Sequence, residues 1–392
     1  MHRRATLLVS LITFLLAARC VFAQGAWRLT TADFNSEGVT LRGVDPAGLR
    51  VAPAAGGDER TVPYEQFLEL TRATSSGQPT GKFILHMTGG DRLGGEPAGI
   101  KGNNLLWKST SIGDVSIPMK RLVALTAGPR AVPEQHRDDV ITLGNGDTIH
   151  GIIATIAEGK VSIQTDAGPS EAPLGSIVTI SFASTPAAAA QKSFRLRFVD
   201  GSSMLVPSIT LTGDNFSIPL GQNAPRQIPI SRIAAIEQVN GPVSWLSTRA
   251  PSEAVYAPYF GSDNLYPPKM DANYRGEEIR FRDERFTRGI GVHAYSKLSW
   301  ALDGTYAALR TRYAIDGDGP LADVTVRIYL DDKIVHQQEH VRAGQLSKVV
   351  LIDLRQAKKL TLEVDFGANG AAQDRFNWIE PALMKVKPAE QK

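Results

Sequence analysis

Apolar residues recur at every second position in short stretches through most of this chain. Between Gly289 and Leu302 the even positions Ile290, Val292, Ala294, Ser296, Leu298, Trp300 and Leu302 are mostly apolar. The odd positions are small or polar, so the period of two predicts one long strand with a single face in a core. On its other face Gly289 and Gly291 lead to His293. A strand that omits side chains there lets another backbone or a ligand approach closely. Further alternating sets run over 309–315, 324–330, 350–354 and 360–366, with turns at Asp303-Gly304, Asp316-Gly317 and Asp331-Asp332. So many short antiparallel strands predict a β-sandwich of jelly-roll type over residues 255–388.

The N-terminal half carries a different rhythm. Four segments share one pattern of proline, apolar residue, two variable residues, apolar residue, two variable residues, apolar residue. They run from Pro63 to Leu70, Pro118 to Leu125, Pro173 to Ile180 and Pro229 to Ile236. Upstream of the last three a strand reaches a tight turn, at Gly90-Asp91, Asn145-Gly146-Asp147 and Asp200-Gly201, residues that supply the positive φ of a hairpin. An internal period of this kind predicts four small β-barrel-like repeats, over 24–76, 82–128, 137–184 and 192–240. The first copy is divergent, because its Gly-Asp hairpin is missing. Stretches rich in Pro, Ser, Ala or Gly (Ala73 to Thr80, Ala127 to Asp138, Ala183 to Lys192) read as linkers. The expected fold class is all-β throughout.

Composition changes this picture in two ways. Residues 1–23 read as an export signal, with Arg3 and Arg4 ahead of an apolar run from Leu7 to Ala18 and a small-residue cleavage pattern at Val21-Phe22-Ala23. That run is too short for a comfortable transmembrane span, so a periplasmic, cell-surface or secreted location is expected. The chain holds 43 Lys+Arg and 40 Asp+Glu. Loss of Arg3, Arg4 and Arg19 with the signal leaves the two signs equal, which removes the electrostatic case for nucleic acid. Cys20, the only cysteine, leaves as well, so disulfides, thiol catalysis and thiolate metal sites are excluded from the mature chain.

The segments Gly289-Ile-Gly291-Val-His293-Ala294, Leu302-Asp-Gly304, Tyr313-Ala-Ile315-Asp316, Asp331-Asp332, Val350 to Leu354, Leu360-Thr-Leu362 and Asp374-Arg-Phe-Asn-Trp378 occur in this order. In them the C-terminal module resembles the NPCBM domain, a novel putative carbohydrate-binding module with a galactose-binding-like sandwich fold. The resemblance implies a non-catalytic sugar-binding module, a kind commonly carried by secreted glycoside hydrolases. The repeats resemble Sm-like or Src-homology-type small barrels at the level of topology, which implies no functional residues.

Candidate side chains stay open to two readings. His293 either bonds a sugar hydroxyl or is a framework histidine of the shared motif. Tyr274 and Arg275 could offer a ring to an apolar sugar face and a cation to its hydroxyls; Asp374 and Arg375 share that ambiguity with a solvated loop. Trp378 could be a stacking platform, yet with Phe376 nearby it reads first as core. Asp316, Asp318 and Asp323 form an oxygen-only set that could hold a structural calcium, although turn aspartates need no metal. No facing carboxylate pair stands out for glycoside hydrolysis, and the repeats leave no room for a catalytic barrel. The chain is therefore not read as an enzyme. Polysaccharide or glycoprotein glycans are the expected partners. An extracytoplasmic structural or protein-interaction role is the alternative, and a hydrolase accessory or cryptic hydrolase the remotest reading.

Overall fold

The computed structural model describes residues 27–72, 79–130, 132–183, 192–220, 225–261 and 266–386. The expected export signal and much of two linkers lie outside these residues. Among the described residues no helix is long and apolar enough to cross a membrane. Every long element is a β-strand, as the periodicity requires.

The four N-terminal units share one strand plan. In the first, Trp27–Thr31 pairs with both Ser36–Asp45 and the closing strand Phe67–Arg72, while Gly48–Pro53 and Arg60–Val62 continue the ladder. The Pro-led ending makes the closing strand in each unit. Proline cannot donate to a ladder, and in three units a single 3-10 turn after Pro118, Pro173 or Pro229 carries the chain into that strand. The register then repeats: Leu29 faces Leu70, Leu85 faces Leu125, Ile141 faces Ile180 and Leu196 faces Ile236. All eight are fully buried.

Closing strands also pair with each other. Leu70 lies opposite Ile236, and Leu125 opposite Ile180, so the last apolar residue of each motif sits beside a local twofold axis. The first unit is thereby joined to the fourth and the second to the third. A bridge between Arg92 and Ser203 joins the second to the fourth. The result is one connected 21-stranded sheet.

The turn expected to be absent from the first unit is present. Gly90, Gly146 and Gly201 have φ of 77°, 91° and 89°, and the equivalent residue of the first unit is Phe34, with φ of 66°. A bulky side chain in the left-handed region costs about 1–3 kcal/mol. Its surroundings explain why it is kept. The Phe34 ring meets Trp245 edge-on at 5.9 Å and lies under the Arg310 guanidinium at 3.9 Å. The hairpin that looked missing has become the contact with the C-terminal domain.

The C-terminal sandwich has two main sheets. One runs in the order Lys269–Met270, Gly289–His293, Arg375–Met384, Ala308–Ile315, Val350–Asp353, with Val243–Trp245 also paired to Arg375–Met384. The other runs Glu253–Tyr256, Ser296–Ala301, Lys359–Phe366, Val324–Leu330, Lys333–Val341. The long strand expected over 289–302 is in fact two, broken after His293, and the halves lie in opposite sheets. The even-numbered stripe survives because both halves face the same interior: Ile290, Val292, Ala294, Leu298 and Trp300 all pack in the core with Phe376, Trp378 and Leu362. Periodicity reports which face is buried, not which sheet a strand joins.

A buried ion cluster fastens the sandwich to the repeats. Glu237, on the closing strand of the fourth unit, is 3% exposed and receives both oxygens' worth of hydrogen bonds from Arg288, at 2.5 and 2.7 Å. Arg197 donates at 3.1 Å and the Trp245 indole at 3.2 Å. Burial alone would raise the Glu237 carboxyl, but Arg288 and Arg197 reverse that and hold it at about 2. Arg288 also grips Asp271 at 2.6 Å, which carries the junction forward into the loop described next.

Candidate functional site

The outer face of the Gly289–His293 strand is covered by the loop Asp271–Glu277. A Cβ on Gly291 would lie 2.3 Å from the Asn273 carbonyl carbon and 2.5 Å from the Tyr274 nitrogen. The glycine therefore admits another backbone, not a ligand, of the two possibilities a bare strand face allows.

This loop is held at several points. Asp271 accepts from Arg288, and its amide donates to the Gly289 carbonyl at 2.7 Å. Asn273, almost wholly buried, accepts from the amides of Arg275 and Glu277 at 3.0 Å, closing a tight turn through Gly276. Such an Asx-turn fixes the backbone from within. The consequence is that Tyr274 projects from a braced support.

Around Tyr274 the structure gathers four other side chains. The Tyr266 ring stacks on His293 at 4.7 Å with 24° between planes. Tyr274 lies 6.3 Å from His293 and 6.4 Å from Tyr266, edge-on to both. Arg375, the cross-strand partner of His293, sets its guanidinium 5.2 Å from the Tyr274 ring centre. Arg275 reaches the Tyr274 hydroxyl at 2.6 Å. Tyr266 is 42% exposed, so the cluster opens to solvent.

His293 lies 2.9 Å through Nδ1 from the Ala294 carbonyl, a partner that can only accept. The proton therefore sits on Nδ1, and Nε2 is left as an acceptor. Burial lowers the imidazole pKa, and the Arg375 charge lowers it further, against the raising effect of the Ala294 bond. A neutral histidine with an acceptor nitrogen, two tyrosines and two guanidiniums is a surface that can hold a polyhydroxylated ring. The aromatic faces meet C–H groups while nitrogens and hydroxyls read the hydroxyl rim. Beside it a polar cleft of about 730 Å³ is lined by Asn273, Glu277, Arg280, Phe281, Asp316 and Asp318, among others.

Of the residues picked from sequence, His293, Tyr274, Arg275 and Arg375 come together. Asp374 and Trp378 do not join them. Trp378 is 1% exposed and packs in the core against Phe376 at 5.2 Å and Tyr313 at 5.8 Å. Asp374 is fully buried, accepts from the Asp323 amide at 3.1 Å, and is pushed up to about 7 by burial. Asp374 lies just before the strand Arg375–Met384, in which Phe376 to Ile379 are all buried, so both side chains are enclosed.

The three candidate calcium ligands also part company. The Asp323 carboxylate is taken by His340 and Arg342, each at 3.2 Å. Asp316 accepts from the Asn377 amide at 3.0 Å, and Asp318 stands in an exposed turn. Among the described residues no three His, Cys, Asp or Glu side chains are arranged to hold a metal ion.

Sequence reasoning missed Tyr266, which lies in a stretch without periodicity. An isolated loop aromatic between two prolines and a polar run was the available signal. Tyr259 and Phe260 form a second exposed aromatic pair at 4.6 Å, with Phe260 84% exposed.

Comparison with known proteins bears on the sandwich. Residues 243–384 match the NPCBM/NEW2 domain. No curated protein matches the chain. Among solved structures it is similar to CBM51 from Clostridium perfringens GH95 in complex with methyl-galactose, at 21% identity over 36% of this chain and 99% of that one, with a TM-score of 0.32. It is also similar to CBM51-2 in complex with GlcNAc and INT domains from Clostridium perfringens ZmpB, at 20% identity, 48% and 43% coverage and a TM-score of 0.33. A third is the tandem CBM51 modules of Sp3GH98 from Streptococcus pneumoniae, at 10% identity, 64% and 89% coverage and a TM-score of 0.32. The matched segment begins at the strand Val243–Trp245, which pairs with the sandwich's last strand and so precedes the residue 255 at which the module was expected to start. The C-terminal sandwich, over residues 243–384, thus carries the match to the NPCBM/NEW2 domain and is fastened to a frame of β repeats.

Proposed function

We propose that this chain is an exported, non-catalytic carbohydrate-binding protein that holds a glycan at the open end of its sandwich. Tyr266 and Tyr274 stack on the apolar face of a pyranose. Arg275, Arg375 and the free Nε2 of His293 read its hydroxyls. The repeats act as a spacer or assembly frame that presents the sandwich, and Glu237, Arg288 and Asp271 tie that frame to the binding loop. The observation that carries the reading is the solvent-open cluster of two tyrosines, a histidine and two arginines on a braced loop of an NPCBM/NEW2 domain.

A glycan array probed with the intact chain tests it, with methyl-galactose and N-acetylglucosamine included among the ligands. Binding to at least one sugar at millimolar concentration or below, reduced by Tyr266→Ala, is the expected result. A folded chain that binds no sugar at millimolar concentration overturns the proposal.

A further inference from the structure

The contact between the second and fourth units has a twofold logic that can be read residue by residue. The position after the positive-φ residue of the hairpin is Asp91 in the second unit and Ser202 in the fourth. Asp91 accepts from the Leu205 amide at 2.8 Å, and Ser202 accepts from the Gly94 amide at 3.0 Å. Leu205 and Gly94 are themselves equivalent positions, since Leu205 lies opposite Arg195 and Gly94 opposite Ile84 in their hairpins. Between them Arg92 and Ser203, equivalent again, form the bridge on the axis. Each unit thus gives the other a side-chain acceptor and an amide from equivalent positions.

The hairpin of the first unit is covered by the sandwich through Phe34. Those of the second and fourth cover each other. Only the third remains. There Gly144, Asn145, Gly146, Asp147 and Thr148 are all exposed, as is His150. The parts of the bridge itself are present: Asp147 stands where Asp91 does, Thr148 where Arg92 and Ser203 meet, and His150 where Gly94 and Leu205 offer their amides, while Val140 replaces Arg195, which in the fourth unit also donates to Gly89 and Gly90. The His150 ring is occupied with Asp138 at 3.0 Å, which leaves its amide as the group in the equivalent position. Nearby, Ile152 is 70% exposed, where the second unit has Glu96.

We infer that this hairpin pairs with the same hairpin of a second copy of the chain, repeating across two molecules the contact that joins the second and fourth units within one. Asp147 of each copy accepts from the partner's His150 amide, and the two Thr148 residues face each other on the axis. The interface is isologous, which closes at two copies. It sets two sandwiches at the far ends of one continuous frame, an arrangement that raises avidity for a repeating polymer without any new ligand contact. The pairing stands on the repeat geometry alone; only the avidity it would give rests on the sugar reading.

Sedimentation equilibrium of the full chain, in a Cys20→Ser background, is the first measurement. A two-chain species is expected, weakened at least tenfold by Asp147→Arg, which places a cation where the acceptor was. Adding Thr148→Cys to that background gives the geometric readout. Residues paired on an antiparallel bridge are about 4.5–5.5 Å apart at Cα, within disulfide range. Mild oxidation should therefore link two chains through Thr148→Cys and not through Glu171→Cys on another strand of the same unit. This readout does not depend on how well Asp147→Arg folds. A chain that stays monomeric to roughly 100 µM, or a dimer that neither responds to Asp147→Arg nor cross-links at Thr148→Cys, overturns the inference. So does a hairpin that becomes protected only when a different protein is added.

Discussion

The junction around Glu237 and the open end around Tyr274 use nearly the same materials to opposite effect. Both collect arginines and aromatic rings. At the junction the charges are matched at short range: Glu237 against Arg288 and Arg197, Asp271 against Arg288. The rings there, Phe34 and Trp245, are edge-packed between domains. At the open end no carboxylate lies within ion-pair distance of Arg375 or Arg275 among the described residues, and the cations lie over ring faces instead. Desolvated ion pairs fix a geometry, whereas cations beside exposed rings leave hydrogen-bonding capacity for something else. The two regions are linked by a single residue, Arg288, whose other hand holds the loop that carries Tyr274.

The largest expected effect is at the junction. Glu237→Ala leaves Arg288 with Asp271 alone and removes the partner of the partly buried Arg197, and should cost about 3–5 kcal/mol in urea unfolding. A loss under about 1 kcal/mol would show that the cluster does not fasten the domains. Gly291→Ala sharpens the comparison from the other side. Its methyl group cannot fit beneath Asn273 and Tyr274, so it should cost about 1–3 kcal/mol and weaken sugar binding through the displaced loop; unchanged melting and affinity together would remove the loop's role.

Tyr266→Ala should act on binding alone. The loss of one exposed stacking partner predicts roughly a three- to tenfold weaker sugar complex, with the melting temperature within a degree or two of the parent. A large drop in stability would recast Tyr266 as structural. The smallest effect concerns Asp374. Burial raises its carboxyl to about 7, so the neutral acid is the form the fold accommodates. The stability it contributes is complete at low pH and is lost as pH rises through about 7. Asp374→Asn should flatten the fall in stability between about pH 4 and pH 7; a profile that keeps the parent's slope would show that Asp374 is not the titrating group.

Alternation made the sandwich core and the repeat register legible, because burial on one face leaves a period of two wherever a strand runs. The closing-strand residues Leu70, Leu125, Ile180 and Ile236 were matched by their shared Pro-led pattern. It was silent on topology. The strand through His293 reads as continuous although it changes sheets, since both sheets bury the same parity. Composition was equally silent on Phe34: a hairpin signal built on glycine cannot show that one copy accepts strain in exchange for a ring contact. At the site, His293, Tyr274, Arg275 and Arg375 carried a signal because a cation and an aromatic stood close in sequence or in a motif. Tyr266 reaches His293 only through the fold. Trp378 read first as core, and it is core; Asp374 stayed ambiguous because a strand buried on both faces, as Phe376 to Ile379 are, gives no parity to extend back to it.

The most direct test of the central claim is a calorimetric titration of the intact chain and its Tyr274→Ala variant with a sugar bound on the array. Tyr274 is held by a loop whose backbone contacts do not depend on its ring. The account predicts at least tenfold weaker binding by Tyr274→Ala with an unchanged melting temperature. Equal affinity in the two proteins would place the sugar elsewhere and contradict it.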